Sequence, residues 1–160
     1  MTARRPSFTA FDMPAIRRSY SPLHGPLVPI CLRPEPTRAE MLRKANRPLP
    51  EQVHGLALID TGAKLSCVDV AVGKNLFQQV GVCQTYTPST GDDEPHMAEI
   101  FFGNFSFPGI KMPEREQELL GMKLGYEVDG RKVLMLLGRD FLDGCTLTYD
   151  GPQQMFELRW

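Results

Sequence analysis

A chain of 160 residues with 42% hydrophobic content can bury one ordinary core and is too short for two sizeable domains. A net charge of −1, the absence of a basic run, and no stretch near the ~18 apolar residues of a membrane span argue against nucleic-acid and membrane partners. Cys31, Cys67, Cys83 and Cys145 lack Cys-x-x-Cys spacing and His24, His54 and His96 are isolated, so free thiols in a reducing, cytoplasmic setting are expected, with no metal and no cofactor.

Residues 1–20 carry Arg4, Arg5, Arg17 and Arg18 against Asp12 alone, and are broken by Pro6 and Pro14. They lack the apolar core of ~7 to 15 residues that a secretory signal needs, so a flexible or docked N-terminal tail is expected, with one domain over residues 21–160. Pro22, Pro26, Pro29, Pro34 and Pro36 surround the apolar run Leu27 to Leu32. Pro29 has no N–H to donate, which restricts that strand to an edge or to one exposed side. From Thr37 to Asn46, Ala39, Met41, Leu42 and Ala45 recur at helical spacing, Thr37 and Glu40 form an expected capping box, and Pro48 and Pro50 follow.

Leu56, Ala57, Leu58 and Ile59 predict a buried strand that delivers Asp60 into a turn made possible by Gly62. A carboxylate at the end of such a strand is costly unless something uses it, the simplest use being to cap its own turn. Val70 to Val80 reads as a short helix ended by Gly81, and Gly81 to Thr87 alternates as a two-faced strand. Thr87, Pro88, Ser89, Thr90 and Gly91, followed by the acidic Asp92, Asp93 and Glu94, form a polar tip before a second strand from Ala98 to Phe102, which predicts a hairpin. Phe102, Phe105 and Phe107 are expected in the core, Glu114 to Glu118 in a charged loop, and Leu119, Leu120, Met122 and Leu124 in a strand. Asp129 and Gly130 predict a hairpin turn, and the uninterrupted apolar run Val133 to Leu137 a strand buried on both faces. Gly138 would let that backbone pass close to the Asp60 turn. Asp150 and Gly151 turn the chain into a last segment, Met155 to Trp160.

Asp60, Thr61, Gly62 and Ala63 after an aliphatic strand resemble the active-site turn of the retropepsin-like aspartic proteases. Downstream, Leu134 to Leu142 is similar to the aliphatic, aliphatic, Gly, Arg segment that closes the core of that family, and the two motifs occur in the family's order. The resemblance implies a mainly β acid-protease barrel with one or two short helices, active as a homodimer. It implies an aspartic-type endopeptidase acting on peptide or protein substrates. Only one such turn is present, since Asp129, Asp143 and Asp150 precede glycines and read as turn residues. A second Asp60 would therefore come from a second chain across a two-fold axis.

By the same resemblance, Thr61 would join the two turns through its hydroxyl, and Gly62 would present its backbone to substrate. Ala63, Lys64 and the hairpin tip Thr87 to Gly91, in the place of the family's flap, would contact substrate. Gly138, Arg139 and Asp140 would support the site, with Arg139 to Leu142 as a short helix and Gly144 to Tyr149 as the next strand. Several departures stand out. Lys64 occupies the place where viral retropepsins carry an acid paired to the Arg of the Gly, Arg segment, so Arg139 is expected to find Asp69 or Asp140 instead. The predicted helix over residues 37–46 looks like an insertion between the first strand and the one carrying Asp60. Phe156, Leu158 and Trp160 alternate with polar residues and would supply a strand paired with the partner subunit, as the family's chain ends do, or an edge strand within the monomer. The acidic tip and Lys64 also suit an alternative, a retropepsin-fold domain that binds peptides or assembles with partners and hydrolyses little or nothing.

Overall fold

The continuous apolar run Val133 to Leu137 becomes strand β9 (Arg131–Leu137), and its position organises the molecule. In this computed structural model, which describes residues 14–87 and 92–160, β9 lies between β3 (Val53–Ile59), to which it is parallel, and β4 (Cys67–Asp69), to which it is antiparallel. Covered on both faces, all five residues from Val133 to Leu137 are at most 9% exposed. β4 continues to β7 (Arg115–Met122), β7 to β6 (Asp92–Ser106), and β6 returns to β2 (Leu27–Arg33), which pairs with β3. These six strands close a barrel, and β5 (Gln78–Thr87) extends it outward from β6. The protein is mainly β with few short helices.

Pro29 is accommodated in the way its missing N–H requires. β2 pairs with β3 along Leu27 to Leu32, but with β6 only over Cys31 to Arg33, so the flank of Pro29 away from β3 meets no strand. The first helix, α1, spans Pro36–Lys44, and its cap differs from the expected one. Glu35, only 5% exposed, accepts the backbone N–H groups of Thr37 and Arg38 at 2.8 Å each, so the capping residue precedes the predicted Thr37. Pro36 at the first helical position needs no N–H acceptor and fixes this register.

α2 (Val70–Leu76) is shorter than predicted, because the chain turns extended at Phe77 and β5 begins at Gln78. Its N-terminus is capped by Asp69, whose Oδ1 accepts Ala71 N at 3.1 Å and Val72 N at 3.3 Å. β5 and β6 form the expected hairpin, with Cys83 opposite Ala98 and Thr85 opposite His96. The segment from Arg115, expected as a loop, is the first half of β7 and pairs with Phe102 to Phe105 of β6. Its charges had argued for a loop, yet a strand laid on a barrel exposes one side chain in two, and Glu116 and Glu118 point to solvent from such positions.

β8 (Glu127–Val128) and β9 are joined by Asp129 and Gly130 at φ 51° and 72°, the left-handed pair that a tight hairpin demands. After β9 come α3 (Arg139–Leu142), β10 (Thr146–Asp150) and β11 (Met155–Arg159). β11 is the centre of a second sheet, flanked by β10 and by β1 (Ala15–Ser19). Both of its edges are filled within one chain, so β11 is neither an edge strand nor open to a partner's strand. Ordered structure also starts before residue 21, since Ile16, 3% exposed, faces Leu158 across the β1 and β11 pair. An aromatic cluster of Phe105, Phe107, Phe141 and Trp160, with ring centroids 5.5 to 5.9 Å apart, ties this sheet to the barrel.

Candidate functional site

The parallel pairing of β3 with β9 brings two chain turns side by side, since Ile59 is in register with Leu137. Asp60 follows the first strand and Gly138 the second. Asp60 N donates to Leu137 O at 3.0 Å, Arg139 N donates to Ala63 O at 3.0 Å, and Asp140 N donates to Lys64 O at 3.3 Å. The turn is thus held from below by the start of α3. Gly138 is required for this approach: a Cβ there would lie 2.6 Å from Leu65 C and 2.7 Å from Leu65 O, both backbone atoms that cannot swing away.

Inside the turn, Asp60 Oδ1 accepts Gly62 N at 2.9 Å and Ala63 N at 3.2 Å. The carboxylate therefore does cap its own turn, but with one oxygen only; among the described residues Oδ2 has no hydrogen-bond donor. Thr61, Gly62 and Lys64 are exposed and Ala63 is half-buried. Two clefts meet at Asp60. One, of about 750 Å³, runs past Ala63, Leu65, Cys67 and Cys83 to Tyr86. The other, of about 690 Å³, runs past Leu58, Ala98, Leu124 and Tyr126. Both are also lined by Thr85, Leu120, Met122 and Leu136, so a single groove passes beneath the β5 and β6 hairpin with Asp60 at its middle. Of the expected tip contacts, Thr87 ends β5, while Pro88, Ser89, Thr90 and Gly91 lie outside the described residues.

The other carboxylates near the groove are engaged. Glu99 lines one cleft and is paired with Lys74 at 3.1 Å. Asp69, besides capping α2, accepts Leu124 N at Oδ2. Asp140 accepts Ser66 N, Ser66 Oγ at 2.7 Å, Phe141 N at 2.8 Å and Gln117 Nε2 at 3.3 Å. Ser66 Oγ in turn accepts the buried Gly138 N at 3.0 Å. Asp140 is thus a bracket joining the Asp60 turn, α3 and β7. Neither Asp69 nor Asp140 serves as the ion-pair partner expected for Arg139, which is exposed and makes no ion pair among the described residues.

Cys67 is buried beside this bracket, and its thiol is pushed up to about 12 by burial, then by the negative charges of Asp140 and Asp60. It stays protonated and is no nucleophile. The Tyr126 phenol is also raised, by burial and then by the charge of Asp60, which sets that ring within the field of the carboxylate. Tyr126, Leu120, Met122 and Leu136 were not singled out from sequence as groove residues; they come from three separate strands or strand ends, and only the strand order brings them together. Among the described residues no group of three or more His, Cys, Asp or Glu side chains is placed to hold a metal ion, and no helix is long and apolar enough to cross a membrane. No family model, no curated protein and no solved structure matches the chain.

Proposed function

We propose that the protein is an aspartic-type endopeptidase of the retropepsin kind, assembled as a homodimer in which two Asp60 carboxylates face each other. The observation that carries this reading is Asp60 itself: one oxygen fixed by Gly62 N and Ala63 N, the other open, at the middle of a groove that holds no other uncommitted carboxylate among the described residues. One chain supplies half of an acid and base pair, and a second copy supplies the rest. Two carboxylates that close cannot both ionise cheaply, so they share one proton. The ionised one takes a proton from a bound water as its oxygen attacks the peptide carbonyl carbon, and the protonated one hydrogen-bonds the carbonyl oxygen and then protonates the leaving amine. Thr61 links the two turns and Gly62, Ala63 and Lys64 contact substrate, with the β5 and β6 hairpin covering it.

The test is cleavage of a denatured-protein or random-peptide pool between about pH 4 and about pH 7, wild type beside Asp60→Asn, with light scattering on the same samples. Cleavage by a dimer that vanishes in the variant is expected. Equal residual cleavage in both proteins, or a strict monomer at active concentrations, overturns the mechanism. A dimer that cleaves nothing at any pH assigns the fold to the alternative, a peptide-binding or assembly domain.

A further inference from the structure

A cleft of about 950 Å³ lies apart from Asp60. It lies between the β1 end, the following loop and the β8 turn, with Leu56 and Val128, each 6% exposed, as part of its floor. Its rim carries Arg18, His24 and Arg131, against a single acid, Asp129. Arg18 and Arg131 are exposed and, among the described residues, form no ion pair, in a chain whose net charge is −1. Arg17 also lines the cleft; Glu157 stands opposite it across the β1 and β11 pair but is ion-paired with Arg159, so Arg17 too has no ion pair among the described residues. Arg131 Nη2 donates to Gly55 O at 3.2 Å, which holds its charge at the rim without neutralising it. An apolar floor beneath guanidinium groups that lack an acidic partner among the described residues suits a ligand with apolar and carboxylate groups in alternation.

The position of the cleft adds the second half of the argument. Leu58 and Tyr126 line the Asp60 groove, and Leu56 and Val128, two residues away on the same chain segments, line the basic cleft. Residues two apart on a strand share a face and lie about 7 Å from one another. Leu56, Val128, Val133, Leu27 and Leu58 also pack as one apolar cluster, so the two depressions are successive along one surface. Pro26 O accepts Ile59 N at 3.0 Å, which ties the loop beside the basic cleft to the residue before Asp60.

We infer that this cleft binds an acidic, apolar-interleaved peptide segment, and that it is a remote subsite for substrates whose sequence beyond the scissile bond is rich in Asp and Glu. The subsite role rests on the peptidase reading; the binding itself does not. A peptide is favoured over a polynucleotide because the floor is aliphatic and the phenol ring at the rim, Tyr20, is already packed on Tyr149 with centroids 4.4 Å apart.

The experiment uses the full chain carrying Asp60→Asn, so that hydrolysis plays no part. Fluorescence anisotropy is recorded with a labelled peptide alternating Glu and Leu, beside its Lys and Leu counterpart, at about 50 mM and about 300 mM salt. The acidic peptide should bind at least about tenfold tighter at low salt, and Arg18→Glu should remove about that factor, with Arg131→Gln as a milder second variant. Unchanged far-UV circular dichroism in Arg18→Glu shows that the loss is local. Equal affinity for the two peptides, or full acidic-peptide binding by both variants, overturns the inference. Tighter binding of a single-stranded oligonucleotide than of the acidic peptide overturns it in favour of a polynucleotide site. Failure of the peptidase reading is seen separately, as absence of cleavage of a short neutral peptide by the chain with Asp60 intact.

Discussion

Two carboxylates follow two neighbouring parallel strands, and they are treated in opposite ways. Asp140, after β9, accepts hydrogen bonds from Ser66, Phe141 and Gln117. Asp60, after β3, spends one oxygen on its own turn and leaves the other to the groove. The first is saturated and holds backbone in place; the second is positioned but unsatisfied. A carboxylate oxygen left without a donor among the described residues, next to apolar cleft walls, is free to accept a hydrogen bond from a water or a substrate group. The contrast separates an acid committed to the fold from one left open to the groove.

That contrast can be broken most severely at Asp60. Asp60→Asn keeps an acceptor for Gly62 N and Ala63 N, so stability should stay within about 0.5 kcal/mol, while cleavage should fall by 10² or more, on the order expected for a lost acid and base. A thermal melt beside a cleavage assay reads both quantities. Gly138→Ala should do the reverse, destabilising by about 3 kcal/mol because the new methyl meets the Leu65 backbone, with activity lost only as the folded fraction is lost. Denaturant midpoints check it. Ser66→Ala orphans the buried Gly138 N and removes a donor to Asp140, and should cost about 2 kcal/mol by the same measurement.

Cys67 sharpens the comparison through pH. Its thiol in the folded chain is raised from 9.0 to about 12, so the stabilisation this represents is complete below about pH 9. It is lost as pH rises from there toward about 12, because the unfolded chain gives up the proton first. Denaturant midpoints above pH 9 should fall more steeply for wild type than for Cys67→Ala; parallel curves would show that the buried thiol is not coupled to folding. The smallest effect is expected at Arg139. With no ion pair among the described residues, Arg139→Ala should change stability by no more than about 0.5 kcal/mol, whereas a larger loss would reveal a partner outside the described residues.

Features carried by local sequence could be read in advance. The apolar strand into Asp60, the Asp129 and Gly130 turn, the buried run Val133 to Leu137 and the alternation of β5 follow from periodicity and from the backbone preferences of glycine and aspartate. What was hidden depends on partners far along the chain. The charges of residues 114–118 signalled a loop, but pairing with β6 made most of them strand; Glu35 outcompeted Thr37 as a cap because Pro36 set the register; and β1 was invisible because only β11, at the other end of the chain, gives it a place. The site divides likewise. Asp60 and Gly138 were legible, whereas the Asp140 to Ser66 bracket spans 74 positions and its composition alone gives no hint of it. The carboxylate partner expected for Arg139 is not found among the described residues, since an exposed guanidinium can be satisfied by water and needs no acid beside it.

The placement of β9 between β3 and β4 has a consequence for biosynthesis. The turn bearing Asp60 leaves the ribosome before the elements that hold it: the strand that braces it begins at Arg131 and the helix that clamps it ends at Leu142. A nascent chain that has passed Tyr126 therefore carries the carboxylate on an unsupported loop, with the slot between β3 and β4 still vacant. Parallel pairing across so many residues is slow to close, because the entropy of the intervening loop must be met before any contact is gained. Maturation of the groove thus waits on Arg131 to Leu142, which are translated well after the Asp60 turn that they hold.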